Sequence, residues 1–204
     1  MLCYNSCMIP DKTMIEEIHR RYAQNDFIFK LIYEHCEIVA EIANWCVEQK
    51  NLSVDKDLLT ASCLLHDIGT YALFDGKGHD GNEHNYKQHA IFGAALALEE
   101  GFDPRIADAI RTHVLMGLSK KEIEEGHFGM PQKDYFPATL EARLLCYADR
   151  FHSKHPTFNS YEPFLKKLGS GLPEQAKKLK QSAEEFGIPD IEALAKKYGH
   201  PIRS

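Results

Sequence analysis

At 204 residues the chain suits one domain of more than usual size, or a domain with a helical extension. A hydrophobic share of 44% and a charged share of 26% are ordinary for a soluble globular protein. The formal net charge of −6, with no basic stripe along any predicted helix, argues against nucleic acid as a partner. No apolar run approaches the length of a membrane span, and the N-terminus lacks the basic-then-apolar build of a signal peptide, so a cytoplasmic protein without a membrane partner is expected. Cysteine usage agrees: Cys36, Cys46, Cys63 and Cys146 fall in predicted helices beside apolar neighbours, as reduced, buried thiols do. Cys3 and Cys7 lie in an N-terminal tail, and no Cys-x-x-Cys zinc knuckle is present.

In chain order the pattern is a succession of helices. Residues 11–24 follow Pro10 with Asp11 as cap, and Met14, Ile15, Ile18 and Tyr22 keep helical spacing. Residues 27–49 form a long helix whose wide apolar face includes Leu31, Ile32, Ile38, Val39, Ile42, Trp45 and Cys46, with His35 near its centre. A polar link with Asn51 and Ser53 leads to an apolar helix that closes on Ser62-Cys-Leu-Leu-His-Asp-Ile-Gly-Thr70, where Gly69 is expected to stop the helix in a left-handed conformation. From Thr70 to His84 the rhythm breaks into a polar, glycine-rich stretch with no apolar period, of the kind that is usually a functional loop or disordered. Helical pattern resumes from Tyr86 to Glu100, stopped by Gly101, and its Gly93, Ala94 and Ala95 would let a neighbouring helix approach closely. Asp103-Pro104 starts the next helix as cap and first residue. Ser119 and Glu122 make a capping box for a short helix ending near Gly126. After a loop over 127–137, a helix over about 139–152 carries Leu140, Leu144, Leu145, Ala148 and Asp149. Three further helical patterns, near 160–168, 173–186 and 189–198, are rich in lysine and glutamate and read as an extension with solvated faces. No strand-period run stands out. The fold class expected is all-α, a helical bundle divided as 1–26 (tail and first helix), 27–156 (core domain) and 157–204 (extension).

A neutral imidazole and a carboxylate side by side at His66-Asp67, on an apolar helix, are costly to bury without a strong partner, and a divalent cation is one. A surface helix end bearing two polar residues is the alternative. Any single histidine elsewhere is most simply a satisfied core residue. However, His35, His66, Asp67, His89, His113 and Asp149 sit on five predicted helices, mostly on or beside apolar faces, and Asp149 is a carboxylate beside Ala148 on such a face. Helical bundles build metal sites from one or two inward ligands per helix, so a common ligand cluster accounts for all six.

The order His35, His66-Asp67, Asp149 resembles the HD superfamily of metal-dependent phosphohydrolases, through Tyr33-Glu-His-Cys-Glu-Ile-Val-Ala40, Leu64-Leu-His-Asp-Ile-Gly69 and Leu145-Cys-Tyr-Ala-Asp-Arg150. Gln88-His-Ala-Ile-Phe-Gly-Ala94 and Ala109-Ile-Arg-Thr-His113 are similar to the binuclear members. The resemblance spans about residues 30–155. It departs from particular subfamilies: Thr70 stands where some diadenosine-polyphosphate hydrolases have lysine, the Gly-Tyr-Pro motif of cyclic-dinucleotide phosphodiesterases is absent, and so is the acidic pair of guanosine-polyphosphate hydrolases.

What the resemblance implies is hydrolysis of a phosphomonoester, phosphodiester or phosphoanhydride, with a nucleotide or dinucleoside polyphosphate as substrate and water activated by a divalent metal. Asp67 would bridge two ions. His66, His35 and Asp149 would complete one site, and His89 and His113 the other, with Asp67 and His66 at the catalytic heart. Mixed imidazole and carboxylate ligation suits iron or manganese, with zinc, magnesium, nickel and cobalt as alternatives. Lys77, His79, His84 and Lys87, with Arg150 and Lys154 on the opposite rim, are candidates to hold substrate phosphate oxygens; a solvated charged loop is the alternative for each. A homodimer is compatible with the pattern. The competing function classes are a non-catalytic metal- or nucleotide-binding sensor and a di-iron oxygenase on the same cage.

Overall fold

The computed structural model describes residues 7–73 and 86–203. Ten α-helices are found among them: α1 (Lys12–Tyr22), α2 (Asp26–Lys50), α3 (Lys56–Leu65), α4 (His89–Glu99), α5 (Pro104–Thr112), α6 (Lys120–Gly126), α7 (Leu140–Ala148), α8 (Tyr161–Gly171), α9 (Pro173–Phe186) and α10 (Ile191–Tyr198). The all-α class and the order of helices agree with the sequence. No helix among the described residues is long and apolar enough to cross a membrane.

The axis of the molecule is α2. Ile28, Ile32, Ile38, Val39 and Ile42 are fully buried along it, and each isoleucine contributes about 1.5–3 kcal/mol by leaving water. Helices α3 and α7 lie against it, and α5 packs on both of those. The local start signals act where the sequence puts them. Asp11, Asn25, Asp55 and Thr139 each accept a hydrogen bond from a backbone N–H in the first turn of α1, α2, α3 and α7. Asp103 caps α5 ahead of Pro104, and Ser119 and Glu122 form the reciprocal capping box of α6. Cys36, Cys46, Cys63 and Cys146 are buried free thiols, while Cys7 is exposed.

Several expectations change. Gly69 is not a left-handed helix stop: the chain runs from α3 through Asp67 (φ −102°, ψ 10°) into a 3-10 turn, Ile68–Ala72. The glycine is needed there for approach instead. A Cβ at Gly69 would lie 2.1 Å from the His89 carbonyl oxygen and 2.3 Å from the Gly93 amide nitrogen, so the small-residue face of α4 closes on this turn. The stretch expected to loop from Thr70 accordingly begins as buried structure, with Thr70 and Tyr71 inside. The last of the α7 pattern is also different. Asp149–Phe151 is a 3-10 turn, and His152–Ser153 is a strand, β1, antiparallel to β2 (Thr157–Asn159), which pairs in parallel with β3 (Ile202–Arg203). Strands of two or three residues are too short to carry a period. Finally, the C-terminal helices bury real core: Leu179 and Phe186 of α9 are fully inside with the α2 and α7 residues.

Candidate metal centre

The six sequence-selected residues meet at one point, and helix ends deliver most of them. His66, His113 and Asp149 are the C-cap residues of α3, α5 and α7. Each helix therefore turns its partial negative end, worth roughly half a charge, toward the cluster, which favours a cation there. His35 projects from the middle of α2, His89 opens α4, and Asp67 follows His66 directly. The four imidazoles are at most 4% exposed and Asp67 is fully buried.

The geometry is divided by Asp67. Its Oδ1 lies 3.2 Å from His89 Nε2 and 3.7 Å from His113 Nε2, while its Oδ2 lies 3.3 Å from both His35 Nε2 and His66 Nε2. Asp149 Oδ1 joins the second group, 3.1 Å from His35 Nε2 and 3.5 Å from His66 Nε2. Ring orientation is set from behind. The Nδ1 atoms of His66, His89 and His113 face the backbone oxygens of Cys63, Tyr86 and Ile110 at 2.7, 2.6 and 2.6 Å. A carbonyl can only accept, so each Nδ1 carries the proton, and in the neutral ring each Nε2 presents a lone pair inward. Yet His89 Nε2 and His113 Nε2 are only 2.9 Å apart, and His35 Nε2 and His66 Nε2 only 3.2 Å. Two facing lone pairs at such distances repel, and either a shared proton or a cation between them relieves the repulsion. Imidazole nitrogens and carboxylate oxygens are the donor set of a transition-metal or zinc ion, so the residues present fit divalent cations. His35–His66–Asp149 and His66–Asp67–His113 each bring three donor atoms within 4.8 Å of one another.

Two basic side chains pair with the two carboxylates. Lys154 Nζ is 2.5 Å from Asp67 Oδ2, and Arg150 pairs with Asp149 Oδ2. Burial resists ionisation of Asp67, but Lys154 and then His66 hold its carboxyl well below the usual range. Asp149 is likewise held low against burial, by Arg150 first. Burial alone would lower His66; the charge of Asp67 reverses this and raises it. His113 is pushed down to about 4 by burial, with His66 and His89 acting in the same direction.

The other expected contact residues divide by place. Lys154 and Arg150 reach the carboxylates as above. Lys87 sets its ammonium 3.9 Å over the Phe128 ring. Lys77, His79 and His84 lie outside the described residues. Sequence reasoning passed over His152 and His200, which continue from His35: His35 Nδ1 is 3.0 Å from His152 Nδ1, and His152 Nε2 is 3.0 Å from His200 Nδ1. Burial pushes His152 down to about 2. It also passed over Tyr86, whose ring lies 5.0 Å from Lys154 Nζ. None sits in a motif: His152 lies just beyond Asp149 and Tyr86 just after the loop, and nothing in the sequence marks His200.

Comparison with known proteins agrees with this geometry. The HD domain family model matches residues 32–154, well over half of the chain. An uncharacterised protein of Methanocaldococcus jannaschii is 32% identical over 151 residues, covering 70% of this chain and 80% of that protein. A tRNA (cytidine(56)-2'-O)-methyltransferase of Picrophilus torridus is 29% identical over 76% of this chain, which spans 41% of that enzyme's length. Among solved structures, the HD domain of the L. monocytogenes phosphodiesterase PgpH superposes with a TM-score of 0.55 at 16% identity, covering 90% of this chain and 98% of that one. With the His…His-Asp…Asp order seated on the expected helices, the chain belongs to the HD domain family.

Proposed function

We propose that this protein is a metal-dependent phosphohydrolase that uses two divalent cations to cleave a phosphoester or phosphoanhydride bond of a nucleotide-type substrate. The observation that carries the reading is the carboxylate of Asp67, whose two oxygens face two separate imidazole pairs. His35, His66, Asp149 and Asp67 Oδ2 would hold one ion, and His89, His113 and Asp67 Oδ1 the other. Such ions, iron or manganese by donor type, acidify water and draw charge from a phosphoryl group when bound.

The chain's own residues supply the rest. Arg150 and Lys154 already balance Asp149 and Asp67, so added divalent charge gives the centre a positive excess suited to an anionic substrate. With Asp67 engaged as a metal ligand, Lys154, which directly follows β1, would be available to hold a phosphoryl oxygen. The backbone carbonyls behind His66, His89 and His113 keep those rings from turning, so the donors are in place before substrate arrives. A nucleotide ligand is supported by a second PgpH HD domain structure, in complex with cyclic-di-AMP (TM-score 0.52, 15% identity). In this reading residues 27–156 are the hydrolytic unit and 157–204 complete it.

The test is turnover by chelated protein reloaded with Mn²⁺ or Fe²⁺, first on bis(p-nitrophenyl) phosphate, then on nucleotides, dinucleoside polyphosphates and cyclic dinucleotides. Hydrolysis that needs the metal is expected. Tight metal binding with no turnover of any of these compounds would leave a sensor in its place.

A further inference from the structure

The cluster's imidazoles are not all oriented in the same way. His66, His89 and His113 back onto carbonyl oxygens, which accept only, so their tautomers are decided within their own turns. His35 instead backs onto His152, its Nδ1 3.0 Å from His152 Nδ1. An imidazole nitrogen can donate or accept. What stands behind His152 therefore decides which nitrogen of His35 carries the proton.

Behind it stands His200, with its Nδ1 3.0 Å from His152 Nε2, and beyond that the Glu34 carboxylate, 3.6 Å from His200 Nε2. The three rings are nearly parallel, with centroids 5.3 and 5.2 Å apart. One proton arrangement satisfies both the Glu34 carboxylate at one end and a cation bound by His35 at the other. A carboxylate attracts a donor, so His200 carries its proton on Nε2 and accepts at Nδ1. His152 then donates from Nε2 and accepts at Nδ1, and His35 donates from Nδ1. That leaves His35 Nε2 as a bare lone pair, aimed at Asp67 and Asp149. The reverse arrangement would put a proton on His35 Nε2, between the two carboxylates, where it would oppose a cation.

We infer that His152 and His200 are positioning residues that fix the metal-binding tautomer of His35, so that the segment after α10 forms part of the metal centre. The proposal rests on the reading of His35 as a metal ligand. The backbone is built to hold the chain of rings. Gly199, in the left-handed region at φ +71°, turns α10 off, and the His200 N–H bonds back to the Ala195 carbonyl at 3.2 Å. The Pro201 carbonyl accepts from Phe158 N–H at 2.9 Å, and β3 then pairs with β2, which pairs with the strand that starts at His152. The small sheet thus carries His152 and tethers the turn that bears His200, and Glu34, the residue before His35, closes the circuit on α2.

Long-range ¹H–¹⁵N correlation on the ¹⁵N-labelled full chain, chelated and then loaded with zinc alone, reads the tautomers directly. His152 and His200 are expected with accepting Nδ1 and protonated Nε2 in the zinc form; a protonated Nδ1 on His152 overturns the proposal. Zinc titration of variants gives the second reading. His200→Phe keeps a stacked ring and removes the acceptor, and is expected to bind zinc roughly 10- to 100-fold more weakly, the usual range for loss of such a partner. His200→Asn restores an acceptor near the Nδ1 position and should recover most of that loss. Unchanged zinc affinity in a folded His200→Phe overturns the proposal, and if that variant does not fold, the tautomers of the unmodified chain decide. His35→Ala separates the two levels: if it binds zinc as the unmodified chain does, the ligand reading itself falls, whereas loss there with no effect at His200 removes only the positioning role.

Discussion

At the scale of single residues, Asp67 is the point on which the centre turns, since it faces one imidazole pair through each of its oxygens. Asp67→Ala should lose hydrolysis and most bound metal. The double variant His89→Ala/His113→Ala should keep about one ion per chain where the unmodified protein takes about two, because the Asp149 side retains its own donors. Elemental analysis after identical loading checks both, and equal metal content in all three proteins would retire the binuclear reading. His19 behaves differently. It is fully buried on α1, its Nδ1 2.8 Å from the Tyr71 hydroxyl and its Nε2 2.8 Å from the Leu64 oxygen, so the neutral ring is satisfied on both sides. Burial lowers it to about 4. The unfolded chain, with an ordinary histidine near 6.5, then binds more protons between those values, and stability falls as pH drops from 6.5 to about 4. The loss is roughly 3 kcal/mol for this group. Urea unfolding in chelator should show that slope reduced in His19→Gln. A slope equal to that of the unmodified chain would mean that His19 is protonated in the native state.

At the scale of elements, the contact of the 3-10 turn with α4 is the tightest joint beside the centre. It sets Asp67 and His89 against each other, since the His89 carbonyl is what a Gly69 side chain would strike. Backbone cannot give way as a flexible side chain does, so Gly69→Ala should destabilise by about 3 kcal/mol or more and impair metal uptake. Gly93→Ala is the internal comparison. Its Cβ would meet the Gly69 nitrogen and the Ile110 side chain at 3.1 Å, a milder crowding, and the alanine has better helix propensity. A smaller loss is expected there, measured by thermal unfolding of both variants in chelator. If Gly93→Ala proves the worse of the two, the turn is not the rigid side of the joint.

At the scale of the whole molecule, the centre joins elements from across the sequence. Residues of α2, α3, α4 and α5, with Asp149 at the end of α7, share one interior point, and the C-terminal segment reaches it through His200. A cation held there binds the native state and not the open chain. Added Mn²⁺ at about 100 times its dissociation constant should therefore stabilise the fold by roughly 2.7 kcal/mol per site. The expected observation is a concentration-dependent rise in Tm that chelator reverses and Asp67→Ala abolishes. A Tm indifferent to metal in the unmodified protein would mean that the cluster does not bind it.

The sequence by itself determined the helices and the short motifs, and the reason is locality. A helix start needs only a cap and the following turns, so Asp11, Asp103-Pro104 and the Ser119–Glu122 box could be located without a partner. The HD family was legible for a similar reason, because its signature is held in adjacent or fixed-order residues. Only the tertiary structure decided what depends on distant chain. Gly69 looked like a helix stop because its own neighbours end an apolar run; its real constraint, the α4 backbone, lies some twenty residues on. The strands of β1 to β3 have no period to display, and they exist through pairing with each other. His152 and His200 have no spacing that announces them, since neither belongs to the His-Asp signature. The lysine-rich look of the C-terminal helices hid Leu179 and Phe186, whose burial follows from the α2 and α7 surfaces that receive them. Helical periodicity is set by neighbours within a turn, whereas the approach of backbones and the choice of tautomer are set by whatever the folded chain brings alongside.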